Sequence, residues 1–299
     1  MTLLPVLIVL VSTVLHASWN LMAHARRTDP LLLLRSAVVT LVVALVPLLV
    51  VEWLATPMPA MVWGLLVLTG IFQAIYMLGL TAGYQVGDFS VVYPVARALP
   101  VLILAFVDLG RGHAPSPLGW LGILLVTGGC LVLPLERLGK LDPARYFNRT
   151  GMWILLTAIG TTGYSTVDKL AVDMLPQGLL SAIRYGAWET IFMVPFLLVL
   201  LPKFGGIALK KGSAAQWRQA GLAALFIASA YWLILWAFQL SPFTSYIVAL
   251  RQFSIVLGVI AAAILFKEPA PRLRIGASLV IAAGVICICL LYTSPSPRD

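Results

Sequence analysis

Charge is scarce in this sequence. Only 10% of its 299 residues are Asp, Glu, Lys or Arg, where soluble domains carry about 25%. Hydrophobic residues make up 61% and the mean hydropathy is +1.00. A soluble domain could not hide that much apolar surface, so the composition points to a chain that crosses a bilayer many times. Cysteine is scarcer still. Cys130, Cys287 and Cys289 all lie in apolar runs, which gives neither a disulfide framework nor metal-ligand spacing. His16 has no second histidine, cysteine or carboxylate at ligand spacing, so no metal site is expected. The motifs G-x-S-x-G, H-E-x-x-H and the P-loop are all absent, so we expect no enzyme and no cofactor. The net charge of +9 is no sign of nucleic-acid binding. The basic residues sit in loops between apolar runs, and no basic face carries interleaved aromatics. The N-terminus lacks a basic n-region and an A-x-A site, so residues 3–23 read as a first span and not as a cleaved signal.

What the sequence does have is apolar segments of near-spanning length. We place ten, at about 3–23, 31–51, 60–83, 88–109, 117–135, 151–172, 178–201, 217–240, 243–266 and 272–291. Breakers separate them, among them Asp29-Pro30, Gly87-Asp88, Pro115-Ser116-Pro117 and Ser241-Pro242. The expected fold is an all-α integral membrane protein. Arg26, Arg27, Arg137, Lys140, Arg145, Arg149, Lys203, Lys210, Lys211, Arg218, Lys267, Arg272 and Arg274 fall in loops on one side, against Arg111 on the other. The first side should be cytoplasmic, with both termini outside.

An internal repeat organises the spans. At the offset that carries Arg97 onto Arg251, Gln85 meets Gln239, Phe89 meets Phe243, Pro115 and Pro117 meet Pro269 and Pro271, and Gly122 meets Gly276. A second offset sets His16 against Tyr164, Asn20 against Asp168 and Pro47 against Pro195. The chain then divides into five-helix repeats at 3–135 and 151–291. Five spans per half forces the second half to be inverted, an architecture that recurs in secondary transporters. The stretch Cys289–Asp299, CLLYTSPSPRD, matches one reading frame of a sequencing adapter. We expect residues 292–299 to be non-native, with Cys289 the alternative start of the foreign stretch.

Few polar residues lie inside the spans, and they carry the chemistry. Arg97 and Arg251 sit about nine residues into their spans, which is roughly 13 Å at 1.5 Å per residue and near mid-bilayer. They could grip a carboxylate or phosphate bidentately, or they could be neutralised by Asp168 or Glu189. Glu189 is mid-span and is either a proton-coupling acid or a salt-bridged structural one. Asp168 is a second coupling-ion candidate, although the adjacent Lys169 also allows a solvated, snorkelling pair. His16 and Asn20 share a helix face, as do Tyr164 and Asp168. They line a cavity or make helix–helix hydrogen bonds. Tyr76, Tyr93 and Tyr231 complete the candidate substrate-binding set. Pro94 and Pro100 flank Arg97, and no such prolines flank Arg251. The fourth span should therefore be the irregular one and the ninth its stiffer counterpart.

The motifs HASWN at His16–Asn20, AGYQVGDFSVVYPVARALP at Ala82–Pro100 and VALRQFSIVLGVIAAAILFKEP at Val248–Pro269 resemble a bacterial branch of the EamA-type transporters, in the drug/metabolite transporter superfamily. The resemblance spans nearly the whole chain. It implies a central cavity lined by spans 1–4 and 6–9, with 5 and 10 peripheral, and export of amino acids, purines or similar metabolites. The family's paired Glu after the fourth and ninth spans is matched by Lys267-Glu268-Pro269, whereas His113-Ala114-Pro115 lacks it. The expectation is a secondary transporter in the bacterial inner membrane, a monomer or homodimer. It would export a small polar or anionic metabolite by alternating access, with proton coupling as an option. An importer of the same fold, or a sensor subunit without transport activity, is the alternative.

Overall fold

The computed structural model describes residues 3–25, 29–86, 89–133, 135, 149–265 and 272–293. Among these residues there are helices and no strands. In chain order the helices are α1 (Leu4–Ala25), α2 (Leu32–Leu54), α3 (Ala60–Val86), α4 (Phe89–Gly110), α5 (Pro117–Val132), α6 (Arg149–Val172), α7 (Leu179–Phe204), α8 (Ala214–Gln239), α9 (Thr244–Arg251), α10 (Phe253–Leu265) and α11 (Arg272–Thr293). Among the described residues seven segments are long and apolar enough to cross a membrane: α1, α2, α3, α7, α8, the α9–α10 stretch Thr244–Ala261, and α11. The apolar α5 is shorter. Large apolar side chains such as Val42, Val43, Val46 and Leu54 on α2 are exposed. That is the surface expected of helices solvated by lipid. The Lys267-Glu268-Pro269 motif and residues 294–299 lie outside the described residues. Tyr292, at the end of α11, is buried, with its hydroxyl 2.8 Å from that of Ser241.

Local sequence explains where several helices begin. Ser116 caps α5 by accepting from the Gly119 N–H, with Pro117 in the first turn, where a missing donor is harmless. Ser213 and Gln216 form a capping box at α8. At α9 the N-cap residue is Phe243, which has no oxygen to offer. The buried carboxylate of Asp108, on α4, accepts instead from the Thr244 N–H at 3.2 Å and the Ser245 N–H at 2.8 Å. A side chain from the first half of the chain thus caps a helix in the second.

The backbone irregularity falls opposite to expectation. α4 runs continuously through Pro94 and Pro100. The ninth segment is the broken one: α9 stops at Arg251, Gln252 tightens onto Ala249 and Leu250, and α10 resumes at Phe253. The cause lies in the polar side chains at this point. Gln252 bonds back to the Val248 carbonyl at 3.0 Å, a local competitor for the helix ladder.

The helix pairs in contact include α1 with α8, α3 with α6, α2 with α7, α4 with α9, α5 with α11, α3 with α7, and α2 with α8. At one end, where α4, α6 and α8 finish and α9 begins, charges tie the halves together. Arg111 reaches Asp173 at 3.3 Å and the Thr244 hydroxyl at 3.3 Å. Lys169 reaches Asp173 at 2.5 Å and the Phe238 carbonyl at 2.6 Å. Glu52, near the end of α2, accepts from Arg184 Nε at 2.8 Å and from Trp188 at 3.1 Å, joining α2 to the start of α7. Toward the other end, Arg35 pairs with Asp29 at 2.6 Å ahead of and within the first turn of α2.

Candidate functional site

The site is built on the crossing of α3 and α6, where glycine lets two backbones touch. A Cβ on Gly160 would stand 2.6 Å from the Tyr76 nitrogen, and one on Gly79 would stand 2.8 Å from the Thr157 nitrogen. No larger residue fits this approach. It brings the Tyr76 and Tyr164 rings edge to face at 5.5 Å, and Tyr164 meets Tyr231 of α8 at 5.5 Å in the same way. Three tyrosines from three helices thus form one row.

Beside this row the two arginines converge on His16. Arg97 Nη2 contacts His16 Nε2. Arg251 Nη2 lies 3.1 Å from His16 Nδ1, to which the Trp19 indole also donates at 3.0 Å. Arg97 Nη1 reaches Gln252 Oε1 at 3.5 Å. The Arg251 guanidinium lies 5.4 Å from the Tyr231 ring centroid, within cation–π range. Arg251 Nε is buried with no hydrogen-bond partner among the described residues. Arg251 thus holds a cationic donor with no acceptor among the described residues, the chemistry that receives an oxyanion.

The acids lie one helical turn apart along the α3–α7 seam. Asp168 is fully buried and accepts from three hydroxyls: Thr69 at 2.6 Å, Tyr185 at 2.8 Å, and Tyr231. Gln73, one turn beyond Thr69, donates to Glu189 Oε1, and Glu189 is one turn beyond Tyr185. The other carboxylate oxygen, Glu189 Oε2, is buried without a partner.

Two adjoining cavities connect these groups. One has a volume of about 70 Å³ and is lined by Trp19, Gln73, Tyr76, Tyr164, Glu189, Tyr231, Trp232 and Arg251, with Ser36, Ala37 and Thr40 from the first turns of α2. The second, about 20 Å³, is lined by Tyr76, Arg97, Thr157, Tyr164, Ser165, Arg251 and Gln252. Tyr76, Tyr164 and Arg251 belong to both. Neither is lined by α5 or α11.

Several sequence expectations change. The sequence leaves the arginines either to grip an anion or to pair with Asp168 or Glu189. Among the described residues no ion pair joins Arg251 to a carboxylate, and both arginines turn to His16. The Asp168-Lys169 pair is not solvated. Both residues are buried, and Lys169 turns away to Asp173. Arg184 pairs with Glu52 and leaves Glu189 to Gln73. His16 sits between the arginines and lines neither cavity, nor does Asn20, whose amide donates to the His16 carbonyl at 2.7 Å. Tyr93 lies on α4 with its side chain outside the described residues. Sequence reasoning missed Gln252, Thr69, Trp19 and the Asp108–Arg111–Asp173–Lys169 network. Gln252 had a signal, being polar, intramembrane and adjacent to Arg251. Among the described residues no group of three His, Cys, Asp or Glu could hold a metal.

Comparison with known proteins defines the architecture and stops there. No protein-family model matches the chain, and no curated protein does. One solved crystal structure aligns with 98% of this chain and 99% of its own, at a TM-score of 0.71 and 16% identity. That likeness establishes a shared fold. The chain is an all-helical, multi-pass membrane protein with buried charge around an internal cavity.

Proposed function

We propose that this protein is a secondary transporter of a small polar or anionic metabolite, built as ten spans in two inverted five-helix halves and belonging with the EamA-type transporters that its motifs resemble. The observation that carries the reading is the meeting of Arg97 and Arg251 at His16, beside an enclosed cavity. These arginines occupy corresponding positions in the two halves of the sequence, and charge held at such depth is costly unless it has a task.

The packing supports the inverted repeat. Exchanging each span of one half for its counterpart in the other turns the α3–α6 contact into α8–α1 and the α3–α7 contact into α8–α2. It leaves α2–α7, α4–α9 and α5–α11 unchanged, and all of these contacts are present. A site on the axis between halves suits alternating access. The ionic ties Arg111–Asp173 and Glu52–Arg184 both bridge the halves at one end. The cavity lining extends toward the other end, to Ser36 and Ala37 of α2. This arrangement supports a state closed at the tied end. With the basic loops on the cytoplasmic side, the tied end faces outward and the cavity faces the cytoplasm of a bacterial inner membrane. Such a state loads substrate for export.

The test is transport by purified protein in liposomes, with a panel of amino acids, purines, carboxylates and sugar phosphates, for wild type, Arg97→Ala and Arg251→Ala. Transport of at least one solute by wild type, lost in both variants, is the expected result. Unaltered transport in both variants would remove the arginines from the site. An absence of transport across the panel would favour a sensor or structural role.

A further inference from the structure

We infer that the larger cavity takes a short monocarboxylate, one without an ammonium group, held between Arg251 Nε and a Glu189 that stands as a neutral carboxylic acid and supplies a second donor. The inference rests on the transporter reading and names the substrate class of the same site.

Two unpartnered atoms decide what this cavity can hold. Of the described residues that line it, Arg251 is the one cation and Glu189 the one acid. Both are more than nine-tenths buried, and each keeps one polar atom without a partner among the described residues, Nε on Arg251 and Oε2 on Glu189. The guanidinium N–H can only donate. At Glu189 the two oxygens differ. The Gln73 amide donates to Oε1, and no described group donates to Oε2. A buried carboxylate needs donors on both oxygens. Asp168 has them, from Thr69, Tyr185 and Tyr231. Glu189 does not, and a proton on Oε2 resolves the mismatch: Oε1 accepts and Oε2 donates. The cavity then meets its ligand with two donors and no anion. A carboxylate has lone pairs enough to accept from both at once.

An amino acid is turned away by the same groups. Its ammonium group needs an anion or several carbonyls in a place this dry. Asp168 lies outside the cavity lining with both oxygens engaged. Ser36, Thr40 and Thr190 do line the cavity, but each hydroxyl donates to a carbonyl of its own helix and offers only neutral lone pairs. A dianion gains little either, because Arg97 lines the adjoining cavity and not this one.

Size sets the other limit. The space is about 70 Å³, roughly two waters' share of liquid volume, whereas a cavity of about 150 Å³ holds benzene. Trp19, Met77, Met193 and Trp232 wall it, so the body behind the carboxylate is short and apolar.

The experiment is isothermal titration of the purified protein in nanodiscs of zwitterionic lipid, at pH 7 and fixed ionic strength. The probes are propionate, glycine, isobutyrate, alanine, benzoate and inorganic phosphate. Propionate and glycine share one shape and differ by a methyl for an ammonium group, as do isobutyrate and alanine. Propionate and isobutyrate should bind at least about tenfold more tightly than their amino counterparts, and propionate at least about tenfold more tightly than benzoate and phosphate. Glu189→Leu should weaken propionate binding by about tenfold or more. Glu189→Gln, which sets an amide N–H where the acid O–H stood, should recover most of that loss, a rescue that a space-filling role would not give. Glycine or alanine binding as tightly as its carboxylate counterpart overturns the neutral acid and makes Glu189 an ionised partner for ammonium. Tightest binding by benzoate or phosphate overturns the short monocarboxylate and leaves the anion site standing. If no probe binds, the inference fails. Transport of another solute in the liposome panel would then preserve the transporter reading, and its absence there would remove both.

Discussion

Arg97 and Arg251, from the two halves of the chain, address opposite nitrogens of one imidazole, that of His16. Two like charges are held at one ring, and His16 sets their spacing. The arginines also differ in support. Arg251 rests over Tyr231, whose hydroxyl is held by Asp168, while Arg97 leans on Gln252.

This difference predicts that lysine is a poor substitute for Arg251. Lys keeps the charge and loses the planar fork and most of the contact with the tyrosine face. A cation–π contact of this kind is worth about 0.5–2 kcal/mol, so Arg251→Lys should weaken anion binding by about tenfold or somewhat more. Binding isotherms of the two proteins at one pH give the ratio. Equal affinities would mean that charge alone matters at this position.

Asp108 should prove to be a folding residue and not a substrate residue. Its carboxylate caps α9, where Phe243 supplies no oxygen. Asp108→Ala leaves two buried N–H groups short of an acceptor, at about 1–3 kcal/mol. The thermal unfolding midpoint in detergent should fall, while the solute affinity of the surviving folded protein stays the same. An unchanged midpoint would show that α9 does not depend on this cap.

The α3–α6 crossing gives a matched pair of glycine tests. Gly160→Ala puts a methyl group 2.6 Å from the Tyr76 nitrogen, whereas Gly64→Ala, on the same α3, meets nothing within 4 Å. Overpacking should cost Gly160→Ala about 1–3 kcal/mol. Gly64→Ala should be neutral or slightly stabilising, since alanine is the better helix former. Unfolding midpoints of the two variants, measured side by side, decide the matter. Loss of solute binding should accompany Gly160→Ala alone, since Tyr76 and Tyr164 line both cavities.

How much of this was legible beforehand depended on the kind of signal. Spans announce themselves by length and hydropathy, and Arg97, Arg251 and Glu189 stood out because charge in an apolar run is costly. Pairings did not announce themselves. Arg184 and Glu52 are far apart in sequence, and only the packing of α2 on α7 brings them to 2.8 Å. Asp168 and Lys169 are neighbours in sequence, which suggested a mutual pair. Helical geometry points them to different faces, one to Thr69 and Tyr231 and the other to Asp173. Proline density misplaced the broken span, because the break at Gln252 comes from a side chain bonding to its own backbone, a signal that carries no proline.

If the tied end is a gate, releasing its charges should expose what lies beneath it. Ser245 is fully buried just below Arg111 and Asp173, on the first turn of α9. In a Ser245→Cys protein with Cys130, Cys287 and Cys289 replaced by alanine, a membrane-impermeant maleimide should react slowly. Adding Asp173→Asn removes the acceptor that joins Arg111 to Lys169, and Arg184→Ala removes the tie to Glu52. Each tie contributes about 0.2–1 kcal/mol at these partly exposed positions, so losing both should raise the population of the opened state, and the labelling rate with it, about several-fold. The labelling rate also distinguishes a gate from a brace. For a gate, a transported solute that favours the closed state slows labelling in the double variant. For a brace, the unfolding midpoint falls, labelling rises at every buried cysteine position tested, and solute has no effect.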